Sequence, residues 1–512
     1  NYRLVAAVNS VHNRAMIRFS PLPNNAHIIP WQEWRDAAFR AAQAEDKPVM
    51  LYLSAFWCRF CQRMDEQAFS ETENIALLNA YFIPLRVEYT QRPDVDARYN
   101  LNGWPTIAFM TPAGQLLAAV NYLPADQFKE LLIDVYMSYQ QRKNELRAAA
   151  QTTAELTPEP ARQLDEAELA TNLSAITASV MALADRTYGG YDRGQKFIHP
   201  QVNDFLLARY QATHDSQYLD QVCLTLERMR AGELYDHQGG AYFRTSSNPD
   251  WSHPHREKLL LEEAGLLGNC LSVFRITQRA EYRRMAEEII EYLDARLFDP
   301  ASGTFHGCED WLRYEPPAVD GEEFFTIIDR CVYTDANAVA SAAYLDAAVL
   351  LDQPAHRERA LAALEFLWQH CRSDGGGMFH YFDGAAHVPG LLQDQAQMGS
   401  ALLRAYQVTG DGAYVDRARR LAALILSELK NPAGGFYDIC TPDSAALRLR
   451  LILIEQNGAV ASFFLSLAQA TKDAKYRDAA RWALSAVAGD FTQYGVHAAP
   501  FGNALAQLRG LE

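Results

Sequence analysis

The sequence predicts two domains, a small α/β domain followed by an all-α domain whose helical hairpins close into an (α/α)6 toroid. Two observations carry this prediction. The first 150 residues alternate strand-like and helix-like patterns. Beyond them, glycine turns and aromatic residues recur at intervals of roughly 60 residues, a spacing typical of a helical-hairpin repeat.

The α/β domain is predicted over residues 1–148. An almost continuous apolar run over 49–56 is typical of a strand buried on both faces. A stretch rich in Ala and Thr with two prolines predicts a linker over 149–162. The expected elements are strands over 49–56, 81–88, 107–110 and 116–120, and helices over 34–44, 58–79 and 126–147.

The toroid is predicted over residues 163–512 from two ladders of residues that run in register. One ladder is a set of aromatic or imidazole side chains near helix starts, and the other is a set of glycine turns, most of them followed by an aromatic residue. Six glycine turns indicate about six hairpins, and closure is favoured over an open solenoid because neither end shows a capping repeat. The first ladder is Tyr218, Tyr282, His356, Tyr414 and Tyr476, and the second is Gly189-Gly190, Gly239-Gly240, Gly303, Gly375-Gly376-Gly377, Gly434-Gly435 and Gly495.

Composition excludes several classes of protein. The net charge is −16, all of it beyond residue 150, which argues against wrapping of nucleic acid or of an anionic membrane. No apolar run approaches the roughly 20 residues of a membrane helix. The cysteines outside the first domain show no pairing pattern, which favours a cytoplasmic location. Because the chain opens at Asn1 rather than Met, an extracytoplasmic location after removal of a signal or anchor is the alternative.

The motif Trp57-Cys58-Arg59-Phe60-Cys61 lies where the first strand becomes a helix. Cys58 at a helix N-terminus would have its thiolate stabilised by free amides and by the nearby charge of Arg59. Cys61, one turn later, is placed to resolve a mixed disulfide. A zinc half-site and a pair of structural thiols are the alternatives, although a second CxxC and a nearby His are lacking. The proline of Trp104-Pro105-Thr106 opens a strand, as a cis-proline beside a site would.

These motifs resemble a known family. Lys47-Pro48-Val49, the CxxC motif and Gly103-Trp104-Pro105-Thr106 look like a thioredoxin fold. With Trp34, Phe39 and Arg92-Pro93-Asp94 they resemble the spermatogenesis-associated thioredoxin-domain proteins, as do toroid stretches such as Tyr235 to Gly240 and Pro254-His255-x-Glu257. That family joins a thioredoxin-like domain to a toroid of the N-acylglucosamine 2-epimerase and six-hairpin glycosidase type.

The resemblance implies roles for individual residues. Cys58 is implied as the nucleophile, Cys61 as the resolving thiol and Pro105 as a cis-proline lining a substrate groove with Trp57, Trp104 and Thr106. One departure concerns proton transfer, because thioredoxins carry a buried acid six residues before the first cysteine and this chain has Tyr52 there.

The toroid carries polar clusters near its helix starts, where the loops of such a ring gather around one mouth. Carboxylates facing an aromatic-rich cavity would suit a carbohydrate ligand. The alternative is structural, since Asn and Asp at helix starts are ordinary N-caps. No cofactor is expected, and His253-Pro254-His255 is too weak a pattern to predict a metal site. The candidate pocket residues are Asp236, His255, Glu257, Asp335, Asn337, Asp394 and Glu455.

The sequence therefore predicts thiol–disulfide exchange at Cys58 and Cys61 on a protein or small-molecule substrate, with the acidic toroid as binding cavity or docking surface. Two rivals stay open. One is a carbohydrate-acting enzyme of the epimerase or glycosidase type in the toroid, and the other is a non-enzymatic binding protein.

Overall fold

The structure is a computed structural model that describes residues 18–152, 165–314, 323–441, 449–486 and 491–510. It divides into two compact units. Of the described residues, 18–152, 441 and 449–450 belong to the N-terminal unit, and those within 165–440 and 451–510 belong to the C-terminal unit. No helix in the described ranges combines the length and apolar character that crossing a bilayer requires.

The N-terminal unit is built on a four-stranded sheet in the order β2-β1-β3-β4. β1 pairs in parallel with β2 and antiparallel with β3, and β3 pairs antiparallel with β4. Every residue of the first three strands is buried, as the apolar runs predict. The strands are β1 (Val49–Ser54), β2 (Ile83–Glu88), β3 (Thr106–Met110) and β4 (Leu116–Val120).

Two predictions for the helices of this unit are corrected. The single helix expected over 58–79 is two helices, because the chain leaves helical geometry at Gln67 and the hydroxyl of Ser70 bonds the carbonyl of Asp65. The last helix continues into the expected linker, and residues 153–162 of that linker lie outside the described ranges. The helices are α1 (Asp36–Glu45), α2 (Arg59–Glu66), α3 (Thr72–Tyr81), α4 (Pro93–Tyr99) and α5 (Ala125–Thr152).

The C-terminal unit is a closed ring of helical hairpins, which confirms the predicted toroid. Six inner helices each pack on the next, and the last packs on the first. Five outer helices follow their inner partners in sequence. The inner helices are α7 (Pro200–Thr213), α9 (Leu260–Thr277), α11 (Thr334–Leu350), α13 (Leu392–Thr409), α15 (Ile454–Thr471) and α17 (Ala499–Arg509). The outer helices are α6 (Glu166–Leu183), α8 (Ser216–Ala231), α10 (Ala280–Tyr292), α12 (Pro354–His370), α14 (Gly412–Leu424) and α16 (Ala474–Leu484).

The ring closes by pairing the two ends of the unit. α6 packs against α17, so the sixth hairpin joins the first and the last helix of the toroid rather than two consecutive ones. The predicted aromatic ladder is regular in space as well, because each of its five members is the third residue of an outer helix. Two members contact the preceding inner helix, since the ring of His356 lies 5.7 Å from that of Tyr344 and the ring of Tyr476 lies 6.3 Å from that of Phe464.

Short strands connect the hairpins, although the sequence shows little strand pattern there. Most contain only two residues, too short for a period-two alternation to be visible. The strands are β5 (Lys196–Phe197), β6 (Thr245–Ser246), β7 (Pro254–His255), β8 (Lys258–Leu259), β9 (Phe298–Asp299), β10 (Thr304–Phe305), β11 (Cys308–Tyr314), β12 (Glu323–Asp329), β13 (Val332–Tyr333), β14 (Phe379–Phe382) and β15 (Ala386–Pro389).

Candidate functional sites

Cys58 and Cys61 lie at the junction of β1 and α2 and form a disulfide, with their Cα atoms 5.2 Å apart. Cys58 is the N-cap of α2, and its Sγ accepts the backbone N–H of Cys61 at 3.1 Å. Both cysteines are 5% exposed or less. None of the six other cysteines forms a disulfide. In this oxidised state neither sulfur is available as a thiolate ligand for zinc.

Arg59 does not supply the free positive charge expected beside Cys58. Its guanidinium forms hydrogen bonds with both carboxylate oxygens of Glu66, at 2.7 and 3.2 Å. These bonds hold the guanidinium of Arg59 against Glu66, and the negative charge of the carboxylate offsets its positive charge. Stabilisation of a Cys58 thiolate therefore depends on the backbone N–H of Cys61 and on the helix N-terminus.

Tyr52 occupies the position of the buried acid of thioredoxins. Its hydroxyl donates to the carbonyl of Cys61 at 2.9 Å and ties α2 to β1. Burial and the nearby Asp65 carboxylate raise the pKa of Tyr52 well above its usual value. Because the phenol stays neutral at physiological pH, it serves as an anchor and not as a general base.

A buried ion pair joins α2 to β2, and it was not predicted from the sequence. Asp65 of α2 and Arg86 of β2 form two hydrogen bonds, of 2.6 and 2.8 Å, and both side chains are almost inaccessible. The guanidinium also lies within 5 Å of the rings of Phe19 and Tyr52. Neither partner stands next to a recognisable motif, so only the pairing of α2 with the sheet reveals the interaction.

The predicted groove residues divide into two groups. The Trp104–Pro105 peptide is cis, as predicted, and the ring of Trp104 lies 5.5 Å from that of Trp57 and 4.4 Å from that of Tyr89. Thr106 is fully buried, and its Oγ1 donates to the carbonyl of Gly103. Thr106 therefore shapes the loop behind the groove and does not line it.

In the toroid, the fourth residue of several inner helices forms a repeated structural contact, which we call the brace. The side-chain oxygen of Asn337 accepts the backbone N–H of Phe305, and its Nδ2 donates to the carbonyl of the same residue. Gln395 bonds Met378 in the same way, and Asn457 bonds Phe436. The braced residue follows a glycine turn by one or two positions. Asn337, a predicted pocket residue, is thus fully buried and structural.

Glu263 holds the brace position in α9 with a carboxyl group in place of an amide. Its Oε1 accepts the backbone N–H of Tyr242 at 2.7 Å, and its Oε2 is inaccessible with no hydrogen-bond partner among the described residues. Burial raises the pKa of Glu263 to about 8. The side chain is consequently protonated at neutral pH.

Three further pocket candidates are placed in ion pairs or on the surface. Asp236 accepts a hydrogen bond of 2.7 Å from the buried ammonium of Lys258. Burial opposes ionisation of Asp236, but the bonds from Lys258 and from two backbone amides hold its pKa below the usual range. Glu257 bonds Arg244 at 2.8 Å, and His255 is largely exposed. These residues hold loops together.

Asp335 and Asp394 are brought together with His380, which the sequence reasoning did not single out. The Nδ1 of His380 lies 3.0 and 3.1 Å from the two oxygens of Asp394. Potential ligand atoms of all three residues lie within 4.8 Å of one another. Burial raises the pKa of Asp394 to about 6, although the interaction with His380 opposes the shift. No metal site was expected here, because the three residues are scattered in sequence.

Glu455 lies on a polar cavity of about 190 Å³ in the toroid. Its carboxylate hydrogen-bonds the ring of His497, and this bond raises the pKa of the imidazole. His199 of the same cavity bonds Asp192 at 2.9 Å. Several lining residues are second residues of inner helices, a regularity visible only once the helix starts are known. The lining comprises His199, Gln201, Val202, Gln393, Gln397, Glu455, Gln456, Ala459, Val496, His497 and Pro500.

Comparison with known proteins agrees with this geometry in the N-terminal unit. Residues 20–157 match the Thioredox_DsbH family model, a protein family of unknown function, DUF255. The disulfide bond reductase DsbH of Chlamydia pneumoniae is 22% identical over 114 residues, 20% of this chain and 68% of that protein. Spermatogenesis-associated protein 20 of Rattus norvegicus is 30% identical over 324 residues, 58% of this chain.

The chain is similar in sequence to spermatogenesis-associated protein 20 from three mammals. It spans 41% of the length of those curated relatives.

The C-terminal unit shares its fold with sugar-converting enzymes. The structure of cellobiose 2-epimerase from Spirochaeta thermophila aligns with a TM-score of 0.53 over 68% of this chain and 97% of that enzyme. The identity is 15%, so the likeness shows the fold alone. The chain therefore combines a thioredoxin-like domain with a toroid that has the same fold as this epimerase.

Proposed function

We propose that this chain catalyses thiol–disulfide exchange at Cys58 and Cys61. The observation that carries the proposal is the N-cap geometry of Cys58, whose Sγ accepts the backbone N–H of Cys61. A sulfur held in this way is stabilised as a thiolate, the reactive form in exchange. The name of the chlamydial relative, a disulfide bond reductase, supports the same chemistry.

In the reducing direction, the Cys58 thiolate attacks a substrate disulfide. A bond forms between Cys58 and one substrate sulfur, and the other substrate sulfur leaves as a thiolate that takes up a proton. The Cys61 thiol then loses its proton and attacks the Cys58 sulfur, which releases the second substrate thiol and forms the Cys58–Cys61 disulfide. The substrate gains two electrons and two protons, and an external thiol or dithiol restores the reduced enzyme.

The test is a redox titration of the full chain in glutathione buffers, read by thiol alkylation and mass spectrometry. We expect a reversible two-electron transition that Cys58→Ser and Cys61→Ser both abolish. Cys61→Ser should also accumulate a mixed disulfide with glutathione on Cys58. The matched control is Cys223→Ser, which removes a buried thiol of the C-terminal unit that forms no disulfide.

The proposal fails if the pair shows no reversible transition. It also fails if Cys61→Ser traps no adduct while the variant is folded by circular dichroism.

We propose a second function for the toroid cavity, the binding of a neutral carbohydrate. Its lining, as far as the structure describes it, contains four glutamines, two histidines and one glutamate but no Lys or Arg. Amide and imidazole groups can both donate and accept hydrogen bonds, as recognition of sugar hydroxyls requires. A cavity of about 190 Å³ has room for one monosaccharide unit.

Isothermal titration with mannose and cellobiose tests this second function. Binding that Gln393→Ala weakens at least tenfold, and that the exposed outer-helix control Glu358→Gln leaves unchanged, would support it. Absence of heat at millimolar sugar, or equal affinity in both variants, would refute it.

A further inference from the structure

The side chains of Asp335, His380 and Asp394 form a compact cluster of two carboxylates and one imidazole in the toroid. Asp335 is the second residue of α11, Asp394 the third residue of α13, and His380 lies on β14. α11 and α13 are neighbours in the inner ring, and β14 pairs with β13, the strand that leads directly into α11. The three groups are therefore held by regular elements and not by a free loop.

The cluster is buried except on one side. Asp394 is inaccessible and His380 is 2% exposed, whereas Asp335 is partly exposed. Carboxylates cluster commonly on protein surfaces, where water screens them. Inside a protein the same arrangement is costly unless a cation or hydrogen bonds neutralise the charge.

A fourth carboxyl group interacts electrostatically with the cluster. Glu262, the third residue of α9, has its Oε2 inaccessible and without a hydrogen-bond partner among the described residues. Its carboxylate interacts repulsively with that of Asp335 and is attracted by Arg244, which already bonds Glu257. A buried carboxyl oxygen with no donor, beside a second carboxylate, requires either a proton or a nearby cation.

We propose that Asp335, His380 and Asp394 bind one divalent transition-metal ion. Glu262 serves either as a further ligand or as a hydrogen-bond acceptor for a group bound to the ion. Ligands about 2.1 Å from a common ion lie about 3–4 Å apart, so atoms within 4.8 Å of one another reach this geometry through small rotations. One imidazole with carboxylate oxygens suits Mn²⁺ or Zn²⁺ better than Ca²⁺ or Mg²⁺, which prefer all-oxygen sites. The exposed side of Asp335 leaves coordination positions for water or a ligand.

The experiment uses the full chain in its oxidised form, so that the Cys58–Cys61 thiols cannot bind metal. Protein treated with EDTA and dialysed is titrated with MnCl₂ and followed by electron paramagnetic resonance, because Mn²⁺ has little affinity for the remaining thiols. ZnCl₂ is then added to compete. We expect one Mn²⁺ per chain, displaced by Zn²⁺, with at least tenfold weaker binding in Asp335→Asn and His380→Ala.

The control is His387→Ala, which removes an imidazole paired with Asp383 on the same hairpin at 2.9 Å, outside the cluster. Its Mn²⁺ affinity should equal that of the wild type. The proposal is overturned if the wild type binds no stoichiometric Mn²⁺ or Zn²⁺, or if Asp335→Asn binds as tightly as His387→Ala. Should His380→Ala fail to fold by circular dichroism, Asp335→Asn decides, because its side chain is partly exposed and isosteric.

Discussion

At the scale of single residues, the groups that would react in the CxxC motif differ from the side chains that hold the motif in place. Cys58 has its sulfur fixed by a backbone amide, and the neighbouring Arg59 is engaged by Glu66. The hydroxyl of Tyr52 donates a hydrogen bond to the carbonyl of Cys61 and fixes α2 to β1. The reactivity of the pair therefore depends on backbone geometry, whereas its position depends on side chains that do not react.

Replacement of Tyr52 by Phe tests this separation. Loss of the bond to Cys61 should lower the free energy of unfolding by about 1 kcal/mol, because a buried carbonyl loses one donor. The exchange rate should stay within about twofold, since a phenol that is neutral at physiological pH does not accept the Cys61 proton. Urea unfolding and stopped-flow exchange with a glutathione disulfide measure the two quantities.

The control is Tyr139→Phe on α5, which removes a hydroxyl that donates to the carboxylate of Asp46. It should show a similar loss of stability and no change in exchange. A tenfold slower exchange in Tyr52→Phe alone would instead show that the hydroxyl relays a proton.

At the scale of elements, the brace explains why polar residues recur at inner-helix starts. Each braced turn would otherwise leave a backbone N–H and a carbonyl unsatisfied inside the toroid. Asn and Gln satisfy both groups, because an amide both accepts and donates. Glu263 satisfies the N–H only, and its raised pKa reflects burial without a second bond.

Glu263→Gln should therefore stabilise the protein, increasingly so as pH rises. The unfolded chain loses the Glu263 proton near pH 4.5, but the folded chain keeps it until about pH 8. The folded state thus binds the extra proton between these values, and its stability falls with rising pH by at most about 1.4 kcal/mol per unit. The glutamine side chain does not ionise, so the stability of Glu263→Gln lacks this dependence on pH.

Urea midpoints at pH 5, 6, 7 and 8 for the wild type, Glu263→Gln and the exposed control Glu358→Gln measure this effect. The wild type and the control should lose stability relative to Glu263→Gln across the series. A constant difference between Glu263→Gln and the wild type would contradict a titrating Glu263.

At the scale of the whole molecule, closure of the toroid depends on a contact between its last and its penultimate inner helix. A Cβ at Gly458 of α15 would lie 2.4 Å from the backbone nitrogen of Phe501 in α17. Backbone cannot yield as the end of a flexible side chain can. Glycine at this position therefore permits the close packing that brings α17 against α6.

Gly458→Ala should separate α15 from α17 and lower the free energy of unfolding by about 1–3 kcal/mol. The control is Gly268→Ala in α9, where a Cβ meets nothing within 4 Å. This change should be neutral or stabilising by up to about 1 kcal/mol, because alanine has the higher helix propensity. Hydrogen exchange should show faster opening of α17 in Gly458→Ala only, and equal behaviour of the two variants would contradict the packing argument.

Sequence patterns are sufficient to predict the two fold classes, the CxxC motif with its cis-proline loop and the number of hairpins. These features are local or periodic, so neighbouring residues carry the signal. The break after Glu66 and the short strands of the toroid were not foreseen, because side-chain bonds and two-residue pairings leave no periodic pattern.

Which polar residues lie close together depends on the tertiary structure. Asp335, His380 and Asp394 span 60 positions and meet only because two inner helices and one strand converge. Asn337 and Asp335 stand two residues apart in sequence, yet one braces a turn while the other joins the cluster. The direction of each side chain depends on its position around the helix and on the closure of the ring. The residue type alone reveals neither.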